Sequence, residues 1–195
     1  MINIAELGSG ETAAVLLHQT DGNGLCGFLF YADYLAERGI KIAAMDLCGY
    51  GQSTCTDLAV SDDPAAQVKA VTDVVRADGA TRVVLVGASM GGTTAVHAAE
   101  ATDADAIVDL SGPAEFNSMT VSADAPNVTM PALFAFSHAD QADLDAVRRQ
   151  LKAMPSKNKT FLTYDSGHGY ELLHQEMTDF TPLAGRVLKL IKDGG

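Results

Sequence analysis

Residues 83–95 read VVLVGASMGGTTA: an apolar run, a tight group of small residues, then a resumed apolar stretch. A β-branched run that breaks at glycine and reopens with helical spacing commits the chain to a strand-to-helix corner. The break, Gly87-Ala88-Ser89-Met90-Gly91, is a G-x-S-x-G. Gly87 and Gly91 let strand and helix pack around a strained turn, where a Cβ would collide. The turn lifts one serine hydroxyl out of the sheet. It also leaves that serine at a helix N-terminus, where free backbone N–H groups can hold a developing oxyanion.

The rest of the chain repeats the alternation. Short apolar runs at 13–17, 40–45, 82–86, 106–110, 132–136 and 160–164 read as strands. Between them lie helix-patterned segments at 27–37, from Asp62 or Asp63 with Pro64 to 77, at 91–99 and at 141–154. Aspartate suits the cap and proline the first turn of the second helix. A last helix is expected from about Gly169 or Tyr170 towards Lys192, interrupted near Thr181-Pro182, where proline lacks the N–H. Strands alternating with helices predict an α/β fold, a mostly parallel sheet of about six to seven strands with helices on both faces. The segment 111–130, rich in Pro, Ser, Asn and Ala, shows no helical period and reads as an irregular connection, not a lid domain. The 195 residues fit a single domain, 1–195, large enough for a sound apolar core.

Composition narrows the partners. A net charge of −12 with 13 Lys and Arg leaves no basic face for phosphate, which argues against nucleic acid and anionic lipid. The N-terminal MINIAELGSGE has neither a basic start nor an apolar core, and no apolar stretch approaches a membrane span. A cytoplasmic location is the resulting expectation. Cys26, Cys48 and Cys55 show no CxxC spacing and no neighbouring histidine cluster, so no metal site is expected. Cys48 and Cys55 can meet across a short loop, but reduced thiols are the expectation for a chain without a secretion signal.

A serine hydroxyl is a weak nucleophile at neutral pH, so Ser89 needs a base and the base an orienting group. His168, in Ser166-Gly167-His168-Gly169-Tyr170, follows the last expected strand between glycines that let the loop bend inward. Ligands on such sheets bind outside the carboxyl ends of the strands, which puts His168 and Ser89 on one edge. Asp140 stands where the fifth expected strand has just ended, with Asp143 and Asp109 as rival acids.

In the order Ser, Asp, His, the chain resembles the α/β-hydrolase superfamily over nearly its whole length. Residues 87–92, GASMGG, are similar to its nucleophile elbow. Residues 46–53, DLCGYGQS, resemble its D-x-R-G-x-G-x-S loop, with Cys48 in place of arginine. Leu16-Leu17-His18-Gln19-Thr20 resembles its strand ending in His-Gly-x, with Gln19 in place of glycine. The resemblance implies a small serine esterase. Its oxyanion hole would use the backbone N–H of Met90 and a second donor from Thr20, or alternatively Gln19. It implies acyl transfer through an acyl-enzyme on a small-molecule ester or thioester, with no cofactor. The alternatives are acyltransfer or perhydrolysis by the same triad, and a non-catalytic binding protein on this fold, which Gln19 would favour. His18 is expected to prop the oxyanion loop, and Asp46 to hold loop hydrogen bonds. Leu25, Phe116, Met119 and Tyr170, each in or beside a loop on the catalytic edge, are candidates to line the substrate cleft.

Overall fold

The structure is a computed structural model describing residues 1–176 and 178–194, without the side chains of residues 58 and 59. Seven strands form one sheet: β1 (Ile4–Leu7), β2 (Thr12–Leu17), β3 (Lys41–Met45), β4 (Arg82–Ala88), β5 (Ala106–Leu110), β6 (Ala132–Ser137) and β7 (Lys159–Tyr164). Their order is β1-β3-β2-β4-β5-β6-β7, parallel except for the antiparallel edge pair β1 and β3. All six expected strands are present. The seventh, β1, carries a weaker signal because it is only half-buried and breaks its apolar run with Glu6.

Five longer helices cover the sheet: α1 (Leu29–Ala36), α2 (Pro64–Ala77), α3 (Met90–Ala98), α4 (Gln141–Gln150) and α5 (Pro182–Asp193). Asp63 caps α2 as expected, its carboxylate accepting from Ala66 N at 3.0 Å. The strands read as continuous apolar runs because both faces are buried, and their side chains sort with a period of two. Ala13, Val15 and Leu17 of β2 pack with Val68, Val71 and Val75 of α2, whereas Ala14 and Leu16 join Tyr31 and Leu35 of α1 and Leu183 and Val187 of α5.

The expected long C-terminal helix is corrected. Residues 169–173 form a 3₁₀ turn, and a short hairpin pairs His174–Gln175 with Asp179–Phe180 before α5 begins at Pro182. An aromatic cluster holds this hairpin: Phe180 lies 4.7 Å from the ring of Phe30 and 4.2 Å from that of Tyr34. The connection between β5 and β6 is a two-residue-arm hairpin (Glu115–Phe116 with Met119–Thr120) followed by single turns, in keeping with an irregular excursion.

From β2 the chain moves outward to β3 on one side, next to the edge strand β1, and then from β4 to β7 on the other. The reversal falls between β2 and β4, whose ends are register partners at Leu17 and Gly87. A crevice at this switch point is where such a sheet takes its ligand. Among the described residues no helix is long and apolar enough to cross a membrane.

Candidate active site

Ser89 sits between β4 and α3 with φ 50° and ψ −119°, a backbone conformation disfavoured for a residue with a side chain. The surroundings hold it there. Its N–H donates to Leu110 O at 2.8 Å, and its carbonyl accepts from Gly92 N at 2.7 Å. A Cβ on Gly87 would lie 1.9 Å from Gly91 O, and one on Gly91 would lie 2.0 Å from Leu17 O. The corner can therefore close only with glycine at both positions. Met90 opens α3, where helix geometry leaves the first N–H groups without an intrahelical partner.

His168 follows β7 and Asp140 follows β6, strands paired through Tyr164 and Ser137. That pairing brings two residues 28 positions apart into contact, with His168 Nδ1 2.7 Å from Asp140 Oδ1. The other carboxylate oxygen accepts from Ser137 N and Ser137 Oγ, both at 3.2 Å. Burial works to raise the Asp140 pKa, but the bonds from His168 and Ser137, with the Ser111 hydroxyl lying nearby, hold it below the usual carboxylate range. A carboxylate facing Nδ1 requires the proton on that nitrogen in the neutral ring, leaving Nε2 as the basic atom.

The rival acids are engaged elsewhere. Asp109 is fully buried and accepts from Gly112 N at 2.6 Å. Burial, with the charges of Asp143 and Asp140, pushes its pKa up to about 7 against that bond. Asp143 accepts from Ala114 N at 3.1 Å.

A cleft of about 200 Å³ is lined by Gln19, Thr20, Asp21, Ser89 and His168. Four of the six residues proposed for the triad and oxyanion hole thus share one opening, with Asp140 behind His168 and Met90 beside Ser89. The Gln19 side chain does not stand free to donate into it. Its Nε2 donates to Asp21 Oδ2 at 3.3 Å, and its buried Oε1 lies over Gly169, where a Cβ would come within 2.0 Å. His18 is fully buried and its ring supports the same loop through Gln19 O, at 2.9 Å from Nδ1. Asp46 holds loops, accepting from Leu25 N, Gln52 N and Asn3 Nδ2 at 2.8, 3.0 and 2.8 Å.

Leu25, Phe116, Met119 and Tyr170, the expected lining residues, are not among the walls of this opening. Leu25 is buried in the core beside α1, and Met119 is buried with its sulfur 3.7 Å from Thr94 Oγ1 of α3. Phe116 packs against the opposite core. Tyr170 is buried against Phe28, ring to ring at 5.6 Å, with its hydroxyl accepting from Asn23 Nδ2. Asp21 is the wall residue that sequence reasoning missed; its loop position after β2 was the available signal.

The cysteines give a second correction. Cys48 and Cys55 form a disulfide, with Cα atoms 5.6 Å apart, and Cys26 is free and exposed. Among the described residues no group of His, Cys, Asp and Glu is placed to hold a metal ion.

Solved structures with this architecture span almost the entire chain. A monoacylglycerol lipase from Paleococcus ferrophilus is similar at TM-score 0.76 and 14% identity, over 98% of this chain and 98% of that one. The esterase Pf2001 from Pyrococcus furiosus reaches TM-score 0.79 at 13% identity, covering 98% and 90%. The chain has the α/β-hydrolase fold. A thioesterase domain from the curacin biosynthetic pathway shares the α/β-hydrolase fold at TM-score 0.68 and 14% identity, over 97% of this chain and 94% of that one. A family model described as serine aminopeptidase, S33, matches residues 26–118, a stretch that holds the Ser89 corner and the Asp46 loop. A search of curated proteins found no match.

Proposed function

We propose that this protein of the α/β-hydrolase fold is a serine hydrolase cleaving small carboxylic esters or thioesters. The 2.7 Å contact of His168 with Asp140, in a histidine that shares a cleft with Ser89, carries the reading. Its neighbours in fold include proteins named as a lipase, an esterase and a thioesterase.

In this mechanism Nε2 of His168 takes the Ser89 proton as Oγ attacks the carbonyl carbon. The charge that builds on the carbonyl oxygen is met by the N–H of Met90 and, across the switch point, by that of Thr20. His168 then gives its proton to the departing alkoxide or thiolate. Water attacks the acyl-enzyme through the same imidazole and restores the serine. Asp140 stays ionised throughout and fixes the Nδ1–H tautomer; its depressed pKa suits that role. A cleft of about 200 Å³ suits a small acyl or leaving group.

A fluorophosphonate probe tests this directly. Stoichiometric labelling of the wild type, abolished in Ser89→Ala and much slower in His168→Ala, is the expected result. A folded wild type that resists labelling would turn the assignment towards a binding protein.

A further inference from the structure

Resting on the reading of Thr20 N–H as an oxyanion donor, we infer that His18 is a positioning residue for that donor and that the Cys48–Cys55 disulfide makes its positioning redox-sensitive. The ring of His18 lies between two loops. Its Nε2 is 3.1 Å from Leu47 N, an obligate donor, and its Nδ1 is 2.9 Å from Gln19 O, an obligate acceptor. These two partners admit a single arrangement: Nε2 accepts, Nδ1 carries the proton, and the ring is neutral. A peptide unit is planar and trans, so its C=O and N–H point in opposite directions. Drawing Gln19 O inward onto a fully buried ring therefore turns the N–H of Thr20 outward, to the side where Ser89 and His168 line the cleft. Gln19, which departs from the family glycine, is compatible with a working donor because its carbonyl is held from behind.

The grip on His18 comes from the loop that the disulfide closes. Leu47, which donates to Nε2, directly precedes Cys48. Tyr50, inside the closed loop, sets its ring edge-on to His18 at 5.1 Å. Beyond the bridge the same loop is anchored by Ser53 Oγ donating to Asp46 O at 2.7 Å and by Cys48 N donating to Gln67 Oε1 at 2.8 Å. Both bridge cysteines are half-buried, within reach of a small reductant. A dithiol would open the bridge in two steps. Its thiolate bonds to one bridge sulfur and expels the other as thiolate; its second thiol then closes on the mixed disulfide. The products are two protein thiols and one cyclic disulfide, a two-electron exchange. The reduced loop loses its covalent closure, and Leu47 and Tyr50 lose their fixed placement against His18.

Kinetics on p-nitrophenyl acetate test this in the full chain, on a Cys26→Ser background so that the bridge supplies the only thiols. Dithiothreitol is expected to lower kcat about ten-fold or more while KM moves less than about two-fold, because an oxyanion donor acts on the transition state. Reoxidation should restore kcat, and the Cys48→Ser/Cys55→Ser protein should start low and ignore the reductant. His18→Phe should lose kcat in the same way. His18→Asn, whose carboxamide N–H takes the place of Nδ1–H, should recover part of it, a split that a purely packing role would not give. Turnover and probe labelling that are intact but indifferent both to reduction and to His18→Phe would overturn this inference alone. A fall that appears in KM and leaves kcat unchanged would do so too. Oxidised protein that neither labels nor turns over overturns the hydrolase reading together with it.

Discussion

Asp140 and His168 meet at 2.7 Å because they cap adjacent parallel strands whose last residues, Ser137 and Tyr164, are register partners. The sheet, rather than either loop, sets their separation. Replacing Asp140 by Asn keeps the volume but offers Nδ1 an ambiguous partner and removes the charge that stabilises the imidazolium. Ester turnover should fall about 10³- to 10⁴-fold, with the far-UV circular dichroism unchanged. Asp109→Asn, by contrast, should leave most turnover, since Asp109 has no bond to His168 and instead holds Gly112 N. The reverse ranking would transfer the orienting role to Asp109.

Most of this frame was legible in the sequence. Two-sided burial turns β2, β4 and β5 into unbroken apolar runs, and the corner at Ser89 announces itself through the glycines that packing demands. Legibility faded where identity does not fix direction. Leu25 and Met119 are adjacent in chain to the right loops, yet their side chains turn into the core, which residue type alone does not reveal. The contact of Gln19 with Gly169 joins residues from two distant loops, so no local pattern encodes it. Nor does cysteine spacing by itself distinguish a bridged pair from two thiols, as the link between Cys48 and Cys55 illustrates.

Asp109 gives the fold a pH dependence of defined sign. Its native pKa is raised to about 7, above the roughly 3.9 of an unfolded aspartate. The native state therefore binds the extra proton between those values, and stability falls as pH rises from about 4 to about 7, then levels off. The size of the loss is on the order of a few kcal/mol. Asp109→Asn cannot ionise and keeps an acceptor for Gly112 N. Urea unfolding across pH 4 to 8 should show the variant gaining on the wild type through that window. A constant difference at every pH would show that Asp109 does not titrate there.

Gly169 has φ 59° and lies directly beneath the Gln19 carboxamide. Gly169→Ala should therefore shift the loop that carries His168, lowering turnover and stability by about 1–3 kcal/mol through strain and overlap. Gln19→Ala removes the overlapping oxygen. The pair Gln19→Ala/Gly169→Ala should recover part of the loss, leaving the cost of the positive φ. A double-mutant cycle reads the coupling, expected at about 0.5 kcal/mol or more. Strict additivity would mean that the two loops do not touch.

The corner itself offers the least tolerance. At Gly87 the neighbour of an added Cβ is backbone, Gly91 O at 1.9 Å, so no side chain can swing aside to relieve it. Strand β4 is pinned by β2 and β5 on either side, and α3 by the turn bonds to Ser89 O. Gly87→Ala must then separate helix from sheet, at a cost of about 4 kcal/mol or more, which lowers the melting temperature by roughly 10 °C or more. Gly185, in α5, has open space at its Cβ and supplies the control. Gly185→Ala should hold or raise the melting temperature, since alanine favours a helix interior over glycine by up to about 1 kcal/mol. Differential scanning calorimetry of the two variants beside the wild type measures both effects. Equal melting temperatures for Gly87→Ala and wild type would contradict the close strand-to-helix packing on which the exposure of Ser89 depends.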